Sequence, residues 1–245
     1  MTMNKRYLTD TQQRQVLSAA LNCADPRAQR DHAWMSLLIE TGMRVNELAT
    51  LTLRQAEQAL ANGWLAVTKE QRKGHRASGR DEHGNFLHPV KRKGHEYLVT
   101  ETVRRSLVKL ITLQEELRPA LAVPPEMELP LLWGRCGTVK GKVLCEHMSV
   151  RSFQARMKHW AYLAGLPEGV SPHWLRHTRG VNIIRRSRGN NPLKVAQLAL
   201  GHASIASTGI YTQMSREEYV QELRLVAGQR VSKAVARGMA IGGVR

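Results

Sequence analysis

The chain has 245 residues, enough to bury a full core in one domain or in one domain with a tail. Its 37 Lys and Arg against 20 Asp and Glu give a formal net charge of +17, spread along the chain, which points to a polyanion and first to nucleic acid. No apolar run is long enough to span a membrane, the start MTMNKRYLTD lacks a signal-peptide core, and three cysteines (Cys23, Cys136, Cys145) suit a reducing compartment with no disulfide frame, so a cytoplasmic protein without a membrane partner is expected.

Taken in order, Thr9-x-x-Gln12 is a capping box that opens a helix from about Asp10 to Leu21. The polar turn Asn22–Pro26 leads to a second helix through HAWMSLLIE, which Gly42 stops. Val45, Leu48, Ala49 and Leu51 predict a short third helix beginning beside Arg44. Gly63–Val67 and Tyr97–Thr100 read as strands, joined by a long basic loop of the kind that is usually functional or mobile. Val103, Leu107, Leu110, Ile111 and Leu117 mark an amphipathic helix, and the proline-rich segment Pro119–Pro130 is the expected internal linker. Ser149 opens a helix with Val150, Phe153, Met157 and Trp160 inward, closed by Gly165 and Pro167. Ser171-Pro172 and Asn191-Pro192 start two more, the second ending at Gly201. Ser215-x-x-Glu218 is a further capping box, followed by Tyr219, Leu223 and Val226 on one stripe and by a basic, Gly-rich tail. Helices dominate, with one small antiparallel sheet: an α+β fold that is mainly helical.

The chemistry concentrates between Ser171 and Tyr211. His173 and Arg176 stand three apart on one helix face, His202 follows a helix stop, and Tyr211 comes nine residues later. Breaking a phosphodiester without a metal needs cations that spread the charge on phosphorus, an acid for the leaving oxygen and a nucleophile. Arginine suits the first task because its fork meets two oxygens and stays charged. Tyrosine, with a reference pKa near 10, becomes a nucleophile where cations surround it and a base accepts its proton. Each residue alone also has a plain reading: a surface arginine at Arg44, a packing histidine at His177, a cap at His202, a core phenol at Tyr211. Cys136, Cys145 and His147 are too loosely spaced for a zinc site.

TGMRVNEL around Arg44 resembles the first arginine box of the tyrosine recombinases, also called the phage integrase family. His173-Trp174-Leu175-Arg176-His177-Thr178 resembles their second box, and Leu200-Gly201-His202 with Ile210-Tyr211-Thr212 resembles their L-G-H…Y-T ending. The resemblance implies a catalytic domain over residues 1–214. A helix and basic tail over 215–245 would then dock on a neighbouring protomer. It implies that Arg44 and Arg176 hold the scissile phosphate, that His173 is base or hydrogen-bond partner to the tyrosine, and that His202 bonds a phosphate oxygen. Tyr211 would become linked to the 3′ phosphate, Glu47 would fix Arg44, and His177 would support. The family's lysine acid precedes the second strand, so Lys93 is the choice, with Lys91, Lys73 and Lys69 as alternatives. Thr100 departs from the proline frequent there.

The same resemblance implies a site-specific recombinase acting on double-stranded DNA without metal, ATP or any other cofactor. It would work as a homo-tetramer on paired sites, be a monomer or weak dimer when free, and draw on accessory DNA-bending proteins. Only 43 residues precede Arg44, so a minimal recombinase, like the fimbrial-switch inversion enzymes, or a fragment is expected. The rivals are a type IB topoisomerase, which shares the chemistry, and a catalytically inactive DNA-binding protein.

Overall fold

A computed structural model describes residues 6–72, 93–117, 127–139, 142–188 and 191–202, all within one compact unit, Met1–Tyr211. Eight helices and four strands occur among them: α1 Asp10–Leu21, α2 Pro26–Thr41, α3 Val45–Ala49, α4 Leu53–Asn62, β1 Trp64–Val67, β2 His95–Leu98, α5 Glu101–Leu117, β3 Trp133–Val139, β4 Lys142–His147, α6 Val150–Leu163, α7 Pro172–Arg186 and α8 Pro192–Leu200. The expected element at 215–245 lies outside the described residues.

Helix α2 is the centre of the core. Ala33, Trp34, Met35, Leu37, Leu38 and Ile39 are all buried, so nearly its whole circumference is covered, by α1, α5 and α7. One charge is buried with them. Asp31 accepts from the indoles of Trp34 and Trp160, both at 2.9 Å, and from Arg30 and Arg156. That carboxylate ties α2 to α6 through hydrogen bonds that offset its desolvation. The expected caps form at Thr9, Ser149 and Asn191, whose side chains each accept a backbone N–H of the first turn. Ser171 occupies the N-cap of α7 without a side-chain cap bond.

Five features differ from the sequence reading. Helix α2 begins at Pro26, inside the expected polar turn Asn22–Pro26, because the Asp25 side chain caps it and proline suits its first position. Helix α4 is absent from the sequence reading although Thr52 and Gln55 form a capping box and Gly63 stops it; its buried face is Leu53, Ala56 and Ala59, and alanine is a weak apolar marker. Strand β2 begins two residues earlier than expected, at His95. The sheet is two separate antiparallel hairpins, β1–β2 and β3–β4, the second interrupted by an irregularity between Trp133 and Cys136. The end of the expected linker is core: Leu129 and Leu131 are buried, and Leu53 N–H and Leu131 N–H bond Leu129 O and Leu51 O at 2.8 and 2.7 Å. The expectation of no disulfide is also corrected. Cys145 is disulfide-bonded, with Cys136 opposite it in register, and Cys23 is a free thiol. No helix among the described residues is long and apolar enough to cross a membrane.

Candidate functional site

The site begins where α2 stops. Gly42 takes a left-handed φ of +69°, and a Cβ there would lie 2.5 Å from Leu200 Cδ2, so only glycine fits both the turn and the approach of α8. The chain then extends through Arg44, the N-cap of α3. Glu47 reaches back from the first turn of α3. Its Oε2 accepts the Arg44 backbone N–H at 2.8 Å and its Oε1 accepts Arg44 Nη1 at 3.0 Å. Arg44 keeps about a quarter of its side chain exposed, whereas Glu47 is fully buried.

Glu47 carries two further donors. Tyr97 of β2 donates its hydroxyl to Oε2 at 2.8 Å, and Arg72 Nε meets Oε1 at 3.4 Å. Burial works to raise the Glu47 pKa. The Arg44 backbone N–H, the Arg44 charge, the Tyr97 hydroxyl and the Arg176 charge outweigh it, so the carboxyl stays below its ordinary range. Tyr97 is pushed well up by burial and by the Glu47 charge, which keeps the phenol a donor.

Arg176 is 3 % exposed and comes from the buried face of α7, beside Leu175, Thr178 and Val181. Its Nη1 donates to Gly42 O at 2.6 Å and its Nη2 to Leu200 O at 2.7 Å. One guanidinium therefore braces the turn before Arg44 against the end of α8. That end is held by two more side chains. His95 Nε2 bonds Ala199 O at 3.1 Å and Arg72 Nη2 bonds Gly201 O at 2.8 Å. Three successive carbonyls that an α-helix leaves without partners are thus taken by side chains from β2, α7 and the segment after β1, in the positions a helix dipole favours for cations. Gly201, with φ of +60°, caps α8; a Cβ there would stand 2.7 Å from Arg72 Nη2.

His202 follows directly. Its N–H donates to Gln197 O at 3.0 Å and its own carbonyl accepts Gln197 Nε2 at 3.3 Å, which fixes its backbone to α8. On α7, His173 and His177 stack edge to face with ring centroids 4.4 Å apart. His173 is exposed overall, yet the water lost around its ring, followed by the charges of Arg176 and Arg44, lowers its pKa. His177 is pushed down to about 4, by burial first and then by His173 and Arg176. Both imidazoles are therefore neutral bases near pH 7.

Lys93 is exposed, just before β2, and its backbone carbonyl accepts Arg72 Nη1 at 3.1 Å. Lys69 is also exposed, 3.6 Å from Glu70. Lys73, Lys91 and Tyr211 lie outside the described residues. Arg44, Glu47, Arg176 and the turn carrying His202 are brought into one hydrogen-bonded cluster. Sequence reasoning missed Arg72, His95 and Tyr97 as parts of it. The alternation of β2 puts His95 and Tyr97 on one face, rings 4.6 Å apart, and that was a readable signal; Arg72 stands in a charged loop run and gave none. A cavity of about 740 Å³ lined by Glu40, Trp64, His95, Leu98, Arg179 and Leu198 lies beside the cluster and includes neither Arg44 nor Arg176. Three guanidinium groups around one carboxylate leave the cluster net positive, able to hold an anion and to lower the cost of ionising a phenol brought to it.

A model of the phage integrase family matches residues 6–218. Tyrosine recombinase XerC 1 of Ralstonia nicotianae is 32 % identical over 195 residues, which are 78 % of this chain and 51 % of that protein. Tyrosine recombinase XerD of Pseudomonas putida is 27 % identical over 207 residues, 84 % of this chain and 57 % of that one. The chain thus spans about half the length of the curated relatives it matches. Two solved structures share its fold: XerA recombinase, with a TM-score of 0.59, 20 % identity and 91 % and 64 % of the two chains covered, and the Tn1549 transposon integrase in complex with transposon right end DNA, with a TM-score of 0.64, 19 % identity and 93 % and 68 % covered.

Proposed function

The chain belongs to the phage integrase family, and on that premise we propose that it is a site-specific tyrosine recombinase that cuts and rejoins double-stranded DNA. The observation that supports this most is the Arg176 brace. It joins the turn that carries Arg44 to the helix end that carries His202, so two arginines and a histidine from distant parts of the sequence share one site.

In this reading Arg44 and Arg176 hold the non-bridging oxygens of one phosphate and His202 bonds an oxygen of the same group. The Tyr211 hydroxyl attacks phosphorus and passes its proton to His173. The P–O5′ bond breaks as the O–P bond forms, and the leaving 5′ oxygen takes a proton from the Lys93 ammonium. The 3′-phosphotyrosyl link keeps the bond energy, so another 5′-OH reseals it in the reverse sequence without ATP. Cations supply the charge stabilisation that a divalent ion supplies elsewhere. Glu47 holds Arg44, and His177 supports His173. The proposed partners are double-stranded DNA and three further copies of the chain on paired sites, with accessory DNA-bending proteins. The free chain is a monomer or weak dimer, and a cytoplasmic location is proposed with them.

The test is covalent capture. A pool of duplexes, randomised in sequence and nicked so that cleavage is irreversible, is incubated with the chain, and the DNA-linked peptide is mapped. The expected peptide carries the DNA on Tyr211, and Tyr211→Phe captures nothing. A link elsewhere, or no link with DNA still bound, would remove this reading in favour of a non-catalytic DNA-binding protein. Relaxation of plasmids lacking any captured site, at undiminished rate, would favour a type IB topoisomerase.

A further inference from the structure

Arg72 lies in the sequence run Lys-Glu-Gln-Arg-Lys, which reads as solvated loop, yet it is only 8 % exposed. Burying a guanidinium is costly unless its donors are met. Here they are met by three separate parts of the chain: Nε by Glu47 Oε1 at 3.4 Å, Nη1 by Lys93 O at 3.1 Å and Nη2 by Gly201 O at 2.8 Å. Glu47 already has a cation in Arg44, so neutralising that carboxylate does not by itself require a second. What Arg72 adds is the pair of backbone carbonyls.

We propose that Arg72 is a positioning residue for the general acid: its guanidinium fixes the main chain of Lys93 against Glu47, and so against Arg44, and against the turn that ends in His202. The inference rests on the reading of Lys93 as acid. Lys93 is an exposed ammonium on a flexible stem, and such a group protonates a leaving oxygen efficiently only if its anchor is fixed relative to the phosphate. Two contacts fix the anchor. One is the Arg72 bond. The other is the next residue, Gly94, which passes so close to β1 that a Cβ there would stand 3.0 Å from Val67 O. Lysine at position 72 cannot replace the fork, because one ammonium does not reach along three directions held in a plane.

The experiment uses the full chain and a duplex obtained by covalent capture, made with either oxygen or sulfur at the bridging 5′ position of the cleaved phosphate. Oxygen leaves with the Lys93 proton; sulfur leaves as a thiolate and needs none. Single-turnover cleavage is measured for wild type, Arg72→Met, Arg72→Lys and Lys93→Ala. Both Arg72 variants are expected to cleave the oxygen duplex on the order of 10²-fold more slowly, with Arg72→Met the slower, and to cleave the sulfur duplex near the wild-type rate. The ratio of the two rates is independent of the fraction of protein folded, so a merely structural role leaves it unchanged. If Arg72→Met does not fold, the ratio for Arg72→Lys decides. Should Lys93→Ala be relieved by sulfur while the Arg72 variants are slowed equally on both duplexes, Arg72 does not position the acid. Should Lys93→Ala gain no relief, the acid lies elsewhere and the inference falls with it, while the Tyr211 link still tests the recombinase reading separately.

Discussion

Glu47 has no exposure, in a chain with a large excess of positive charge, and four donors converge on its two oxygens. Replacing it by Gln leaves two guanidinium groups without their carboxylate. We expect Glu47→Gln to lower unfolding free energy by about 3–5 kcal/mol, against about 1.5–3 kcal/mol for Tyr97→Phe, which removes one donor and leaves the charges paired. Urea unfolding of both variants checks the order; equal costs would mean that the tyrosine, not the charge pairing, holds the cluster. The imidazoles on α7 give a pH dependence of definite sign. His177 titrates near 4 in the folded chain and near 6.5 when unfolded, so between those values the unfolded state binds more protons. Its contribution is fully present above about pH 6.5 and is lost as pH falls toward 4, and His173, shifted the same way, adds to it. The urea midpoint should therefore drop between about pH 7 and 5, and His177→Asn should drop less. An identical drop in the variant would assign the effect to other groups.

At the level of elements, two helix stops set the site, and they can be tested against a third. Gly42 and Gly63 both cap helices with positive φ, but a Cβ at Gly42 meets Leu200 and Arg179, whereas at Gly63 it meets nothing within 4 Å. Gly63→Ala should cost about 1–2 kcal/mol from backbone conformation alone. Gly42→Ala should cost clearly more in urea unfolding and should also slow cleavage, because Gly42 O is the acceptor that braces Arg176. If the two cost the same, the approach of α8 to Gly42 contributes nothing. These same stops explain what was legible in the chain. Capping boxes, X-Pro helix starts and terminal glycines are local codes, and they located α1, α6, α7, α8 and the end of α2 because each acts within one turn of backbone. The start of α2 at Asp25-Pro26 carries the same code, inside a segment that reads as a polar turn. Arg44, Glu47, Arg176 and the turn at His202 were legible through family motifs, and the folded chain then showed why they stand together. Helix α4 carries the same local codes, a Thr52–Gln55 capping box and a terminal Gly63, and its alanine-rich buried face left the apolar period too weak to join them. Strand β2 was shifted because its register with β1 pairs His95 with Val67, and pairing between distant segments is written in neither segment alone. Arg72 was unreadable for the same reason. Its three acceptors lie 25, 21 and 129 residues away, and nothing in a run of charged residues marks which one turns inward.

For the whole molecule the dominant quantity is the charge of +17, and it makes two predictions of opposite sign. In the free chain like charges repel one another and weaken the compact state, and added salt screens them, with a Debye length falling from about 10 Å at 0.1 M to about 3 Å at 1 M. The melting temperature of the protein alone should therefore rise with salt. On duplex DNA the same cations replace condensed counterions, and each phosphate neutralised contributes a slope of about −0.9 to log K against log salt. A footprint of roughly six phosphates or more gives a slope near −5 or steeper, a loss of about a thousandfold between 50 and 200 mM salt. Salt should thus strengthen the fold and weaken the complex over one concentration range, read by thermal melting and by fluorescence anisotropy of a labelled duplex. Melting that rises while duplex affinity stays level would assign the charge to the protein's own surface and not to a polyanion. Affinity that falls steeply for Tyr211→Phe as for wild type would place the footprint in the folded surface, separate from the chemistry, because removing one neutral hydroxyl releases no counterion.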